Sequence, residues 1–281
     1  MRKHITTIIL VVILFAGLSL LLYPSFSDYW NSMHQSRAVA AYAETVANIN
    51  DDDYEQLWSA AEQYNQELSM SGMIWSMSDA QTRQYDKLLR IDDSGMMAYI
   101  EIPKINCSLP IYHGIEESVL QTSIGHLAGT SLPVGGESTH CVLSGHRGLP
   151  SAKLFTDLDK LAEGDEFLIR TLDEVLTYEV DQIRVVEPMD LSNLQIINGM
   201  DYCTLVTCTP YGVNTHRLLV RGTRIKTENA MEVRITADAI QFETVVVAPF
   251  VAVPIILLLV IGLLLVTRKK RKYIEVVRKL F

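Results

Sequence analysis

The sequence predicts a mainly β fold, a closed or nearly closed barrel, with helices ahead of it and a membrane-spanning helix on either side. Two apolar runs, residues 5–22 and 245–266, contain no charged residue. Each is long enough to cross, or nearly cross, a hydrocarbon core of about 30 Å. Between residues 95 and 227, short β-type segments alternate with turn signals, a pattern that argues for a barrel rather than a helical domain. At 281 residues and 48% hydrophobic side chains, the chain holds enough material for one globular domain besides the two spans.

The first run exceeds the roughly 7–15 residues of a signal-peptide core, and Ser25-Phe26-Ser27 makes a poor cleavage site, so an uncleaved anchor is expected. Arg2 and Lys3 precede it, and Arg268, Lys269, Lys270, Arg271 and Lys272 follow the second run. Cations remain on the cytoplasmic side. Residues 1–4 and the basic tail 267–281 are therefore expected in the cytoplasm, on the inner side of the cell membrane, and everything between the spans outside the cell. The tail reads as a stop-transfer signal rather than a lipid-recognition element. The formal net charge is -9 despite these basic ends, so the external part is acidic. Nucleic acid, a polyanion that needs a basic face, is excluded as a partner.

Residues 33–94 read as helices and a covering segment. Val39, Tyr42, Ala43, Val46 and Ala47 form a helical stripe within 36–49. Asn50, ahead of Asp51-Asp52-Asp53, is placed to cap a second helix over about 54–68, where Leu57, Ala60, Ala61 and Tyr64 repeat at three and four. Residues 69–78 break into Met, Ser and Gly around Trp75 and read as a loop. Asp79 then opens a short helical stretch with Tyr85, Leu88 and Leu89.

Strands are expected at residues 97–102, 107–112, 140–144, 166–170, 176–186, 203–208 and 216–225, with turn dipeptides at Gly135-Gly136 and Gly164-Asp165. The four cysteines, Cys107, Cys141, Cys203 and Cys208, all fall in the external region. Cys203 and Cys208 are five positions apart in one strand, an odd offset, so their side chains point to opposite faces and do not pair with each other. A domain of this size rests on its core without disulfide staples, which leaves a cysteine available as a nucleophile.

Three strand-end features bear on chemistry. Ser144-Gly145-His146-Arg147-Gly148 places a histidine in a glycine-flanked loop, Thr207-Cys208-Thr209-Pro210 ends a strand at a cysteine, and Arg217 opens the next strand. A thiol with pKa near 8.5 needs a neighbour that stabilises the thiolate or removes the proton. Acyl transfer also needs a donor for the oxyanion, and arginine stays charged while supplying one. Cys, His and Arg suffice. Spacing alone does not select His146 over His113, His126, His140 or His216, and a strand-end cysteine is often a buried small hydrophobe.

The sequence resembles the class C sortases, the pilus-assembly transpeptidases of Gram-positive bacteria. The matching stretches are Tyr99-Ile100-Glu101-Ile102-Pro103-Lys104-Ile105, Leu109-Pro110-Ile111-Tyr112-His113-Gly114, Gly125-His126-Leu127-Ala128-Gly129-Thr130-Ser131-Leu132-Pro133, residues 144–158, and 204–212 leading to 216–222. The resemblance implies an eight-stranded sortase barrel, with His146 as catalytic histidine, Cys208 as nucleophile and Arg217 as transition-state arginine; His126 matches a motif residue outside that set. It implies cleavage of an LPXTG-like sorting signal, a thioacyl intermediate on Cys208, and transfer to a lysine amine of a pilin. No metal or organic cofactor is implied.

One departure concerns the cover. Class C enzymes typically carry a lid with an Asp-Pro-aromatic motif, and residues 73–79 here have the aromatic, Trp75, without that motif. Trp75 reads either as the plug over Cys208 or as an exposed, membrane-facing tryptophan, and Asp79 is the group expected to hold His146 or Arg217 by charge. Two alternatives accompany this reading: a sortase that attaches surface proteins to the cell-wall precursor, and, from a different class, a membrane-anchored binding or scaffold module with structural cysteines.

Overall fold

The computed structural model describes residues 2–227. The second apolar run, 245–266, and the basic tail, 267–281, lie outside the described residues. Residues 2–25 belong to one compact unit, and the chain from Phe26 to the end of the described residues belongs to another.

Helix α1 runs unbroken over Arg2–Ala47 and passes through Pro24. The sequence reading treats the apolar run and the helix at 36–49 as two elements; the structure joins them. A proline within a helix removes one hydrogen bond and here ends nothing. Among the described residues, this is the one helix long and apolar enough to cross a membrane. Its last turns meet the barrel through Tyr42, whose hydroxyl donates to Met97 O at 2.9 Å and accepts from Leu172 N at 2.8 Å.

Helix α2 occupies Asp51–Ser71. Asn50 caps it as expected, its side chain accepting from Asp53 N at 2.8 Å. The helix starts earlier than 54 because the three aspartates suit the positive end of the helix dipole. Helix α3, Asp79–Tyr85, begins with a reciprocal capping box between Ser78 and Gln81.

The barrel consists of β1 Met96–Ile102, β2 Cys107–His113, β3 Ile124–His126, β4 Thr139–Ser144, β5 Glu166–Thr171, β6 Glu174–Val186, β7 Asp201–Thr209 and β8 His216–Ile225. It closes in the order β1-β2-β3-β4-β7-β8-β6-β5. β2–β3 and β4–β7 pair in parallel and every other neighbour antiparallel. A four-residue helix, α4, Glu117–Leu120, lies in the β2–β3 connection. Strand β3 escapes sequence reading because three residues, one of them glycine, cannot display a period of two.

Inside the barrel, Phe167 and Tyr178 stack with centroids 5.5 Å apart, beside the buried Ile100, Ile111, Leu205 and Val220. Helix α2 adds Ala61 to this core and attaches through Asn65, which is buried. Its amide donates to Leu132 O at 3.1 Å and its carbonyl accepts from Leu132 N at 2.7 Å. One side chain thus satisfies both backbone groups of a buried loop residue. Asn65→Ala leaves both without a partner and is expected to cost about 2–4 kcal/mol, read as a lower chemical-denaturation midpoint. An unchanged midpoint would show that water replaces the amide.

Candidate active site

The site is set out by strand register. Strands β4 and β7 run parallel, with Ser144 level with Val206. The chain continues in step beyond the end of β4: Gly145 N donates to Val206 O at 3.0 Å, and Thr207 Oγ1 donates to Gly145 O at 2.7 Å. Two residues past Ser144 comes His146, and two past Val206 comes Cys208. On the other side of β7, Cys208 pairs directly with Arg217 of β8. His146, Cys208 and Arg217 therefore lie in one row across three neighbouring strands at one end of the barrel.

Local sequence makes the row possible. A Cβ at Gly145 would lie 2.6 Å from Ile124 and 2.7 Å from Phe155, so only glycine lets the chain leave β4 this close to the core. Cys203 and Leu205 point into the barrel, whereas Cys208, of opposite parity to them, is only partly buried. All four cysteines are free.

Burial separates the other thiols from the site. It pushes Cys107 up to about 12. Cys141 and Cys203 face each other across β4 and β7. Burial raises Cys203 well above an ordinary thiol, and its contact with Cys141 raises it further. Neither reaches solvent.

The histidines sort in the same way. His126 is fully buried, its Nδ1 2.8 Å from the Tyr85 hydroxyl and its Nε2 2.9 Å from Ser131 O. His140 bridges Gln195 O and the Thr204 hydroxyl, and burial lowers it to about 4. Burial lowers His113 too, against its bond to Leu88 O. His126 and His140 spend both ring nitrogens on structural partners, and His113 bonds the Leu88 carbonyl. His216 is exposed and starts β8 beside Arg217. His146 has a side chain 26% exposed, and its Nε2 lies 3.4 Å from Glu117 Oε2 of α4.

Arg217 donates through Nη1 to the carbonyls of His216 at 3.1 Å and Asn214 at 3.3 Å. Among the described residues no carboxylate pairs with it, so its charge is not neutralised locally. Arg147, next to His146, has a side chain only 9% exposed. It donates to Asp159 and, at 3.2 Å, to the hydroxyl of Thr209, which ties the histidine loop to the end of β7. Sequence reading assigns no role to Glu117 or Arg147. Arg147 adjoins the candidate histidine and was open to suspicion, but Glu117 is 29 residues away and nothing in the sequence signals the contact.

The segment expected as the cover is fastened at Gly129. Trp75 is 40% exposed. The preceding residue, Ile74, donates its N–H to Gly129 O at 3.0 Å, so close that a Cβ on Gly129 would lie 1.9 Å from Ile74 O. Leu127 and Ser131, on either side of Gly129, bond to Val142 and His140, well back along β4 from the row. Asp79 is exposed in the first turn of α3. Among the described residues, no hydrogen bond or ion pair joins Trp75 or Asp79 to His146, Cys208 or Arg217.

An eight-stranded mixed barrel with β4–β7 parallel and this row at its rim is the sortase barrel. A sortase domain model matches residues 100–225. Sortase D of Bacillus subtilis is 30% identical over 129 residues, 45% of this chain and 62% of that protein. The chain spans between 40% and 64% of the length of the curated relatives it matches. Among solved structures, sortase C1 from Streptococcus agalactiae is 56% identical with a TM-score of 0.67, covering 68% of this chain and all of that one. Sortase C from Streptococcus pneumoniae is 44% identical with a TM-score of 0.62, covering 68% and 97%. The chain belongs to the sortase family and, within it, to class C.

One thiol is expected to react with a small thiol reagent in the folded chain, and four after unfolding. Cys208→Ala should abolish the native reaction and Cys203→Ala should leave it, as counted by mass spectrometry. Native labelling at Cys141 or Cys203 would show that the barrel opens.

Proposed function

We propose that this protein is a membrane-anchored cysteine transpeptidase that joins pilin subunits outside the cell. The observation that carries this is the pairing of Cys208 with Arg217, in a row with His146, on a class C sortase barrel. Sortase C from Streptococcus pneumoniae, a structural neighbour, is described in terms of its pilin substrate specificity.

The chemistry follows from the row. The Cys208 thiolate attacks the carbonyl carbon between Thr and Gly of an LPXTG-like sorting signal. The oxygen gains negative charge, and the unpaired Arg217 guanidinium stabilises it; a fixed cation does this without reorganising as the charge develops. His146 gives a proton to the departing glycine amine, leaving a thioacyl enzyme. A lysine amine of the next pilin then attacks the thioester carbon, His146 accepts the proton the nucleophile loses, and Cys208 leaves as thiolate. An isopeptide bond results, and the enzyme is restored.

Two substitutions test this. Cys208→Ala should abolish pilin polymerisation with an unchanged melting temperature, and polymer formation by that variant would sink the assignment. Arg217→Lys keeps the charge but loses the planar fork, and should lower kcat about 10²–10³-fold with little change in KM. Near-normal kcat would make the arginine a surface cation. In the same reading, Trp75 and Asp79 cover Cys208 only after residues 73–79 leave the Gly129 anchor. Trp75→Gly should then speed Cys208 labelling; an equal rate would leave Trp75 on the barrel flank.

A further inference from the structure

Glu117 is held at both carboxylate oxygens. Oε1 accepts from Gln121 Nε2, one turn along the chain, at 2.9 Å, and Oε2 faces His146 Nε2 at 3.4 Å. Its carboxyl lies below the usual range, first because of the Gln121 bond and then because of His146.

The segments bearing the pair are tied together by a third element. Gln35 Nε2 of α1 donates to Thr122 O, just after α4, at 2.7 Å. Asn31 Nδ2 donates to Ser151 O at 2.7 Å, and the Asp28 carboxylate accepts from Lys153 N at 2.7 Å. Residues 151 and 153 belong to the loop after His146, and Phe155 N closes that loop by donating to His146 O at 3.1 Å. Positions 28, 31 and 35 share one helix face. A single face of α1, a few residues beyond its apolar run, therefore grips the backbone on both sides of the Glu117–His146 contact.

We propose that Glu117 is a positioning residue for His146, and that the Asp28–Asn31–Gln35 face of α1 holds the two in contact. The inference rests on the transpeptidase reading above. With Oε2 accepting from Nε2–H, Nδ1 is the nitrogen left to exchange protons with the thiol and the amine. When Nδ1 is protonated, the carboxylate stabilises the imidazolium and stays ionised, the part an acid plays behind a catalytic histidine. The other titratable groups on the surrounding elements are Glu116 at the start of α4, Cys208 of β7, Arg217 of β8, Arg147 with its partner Asp159, Lys153 with its partner Asp157, and Asp28 of α1. Glu117 is 68% exposed, so the effect is modest.

The test uses the full chain in detergent micelles, with cleavage of a fluorogenic LPXTG peptide followed from about pH 5 to 9. Glu117→Gln is expected to lower kcat about 3–10-fold with KM unchanged. Loss of the carboxylate makes the imidazolium less stable, so the acid limb of kcat/KM should move to lower pH, by about 0.3–0.5. Asn31→Ala combined with Gln35→Ala should act in the same direction. Adding Glu117→Gln to that pair should cost little more, because all three act through one contact. Glu116→Gln, a neighbouring exposed acid, should match wild type. A wild-type kcat and acid limb in Glu117→Gln would overturn the role of Glu117, and fully additive losses would overturn the α1 grip. Because Glu117 is exposed, its variant folds whatever the α1 variants do. Cleavage by Cys208→Ala, run alongside, would instead overturn the transpeptidase reading itself.

Discussion

The structure depends on the register between β4, β7 and β8. β4 and β7 are parallel, so both strands end at the same rim, and the residues that follow them leave side by side. β7 and β8 are antiparallel, so the end of one meets the start of the other. Those two relations alone bring a loop histidine, a strand-end cysteine and a strand-start arginine together from positions as far apart as 146, 208 and 217. A slip of one residue between β7 and β8 would turn Arg217 to the opposite face from Cys208 and expose Leu218 in its place. The packing of Phe167 and Tyr178 against Gly222, where a Cβ would approach within 2.6 Å, opposes such a slip from inside the barrel.

Burial then determines which groups take part in the chemistry. Several cysteines and histidines lie in the same barrel as the row, and most are withdrawn from it. Cys107, Cys141 and Cys203 are enclosed in the core, and His126 and His140 spend both ring nitrogens on neutral partners. The site itself sits at a rim built from loops, where a group is both accessible and able to titrate. Rim loops are poorly stabilised unless something holds them. Here the hold comes from polar side chains bonding backbone: Thr207 to Gly145, Gln35 to Thr122 and Asn31 to Ser151. Each bond fixes the path of a loop through its backbone.

The helices ahead of the barrel work in the same way. Tyr42 bridges Met97 and Leu172, and Asn65 bridges both backbone groups of Leu132. The hydrophobic pattern that reveals the helices includes Tyr42 but does not reveal which backbone groups its hydroxyl or the Asn65 amide will bond. Asp28, Asn31 and Gln35 of α1 bond the loops near His146, so this part of the helix belongs to the scaffold around that residue.

The sequence alone determined the class of fold, seven of the eight strands, the Asn50 cap and the opposite facing of Cys203 and Cys208, because each is governed by local period or by the chemistry of a single residue. The motifs around His146, Cys208 and Arg217 were legible too, through resemblance; spacing by itself left five histidines in competition. The tertiary structure decided the rest. It removed His126 and His140 by burying them and His113 by bonding it to Leu88 O, joined the apolar run to the next helix through Pro24, and placed Ile74 against Gly129 on the barrel flank. It also brought Glu117 to His146 and Asn31 to Ser151. These are contacts between residues far apart in sequence, made by polar side chains with no periodic signature, and only the closed barrel determines which of them meet.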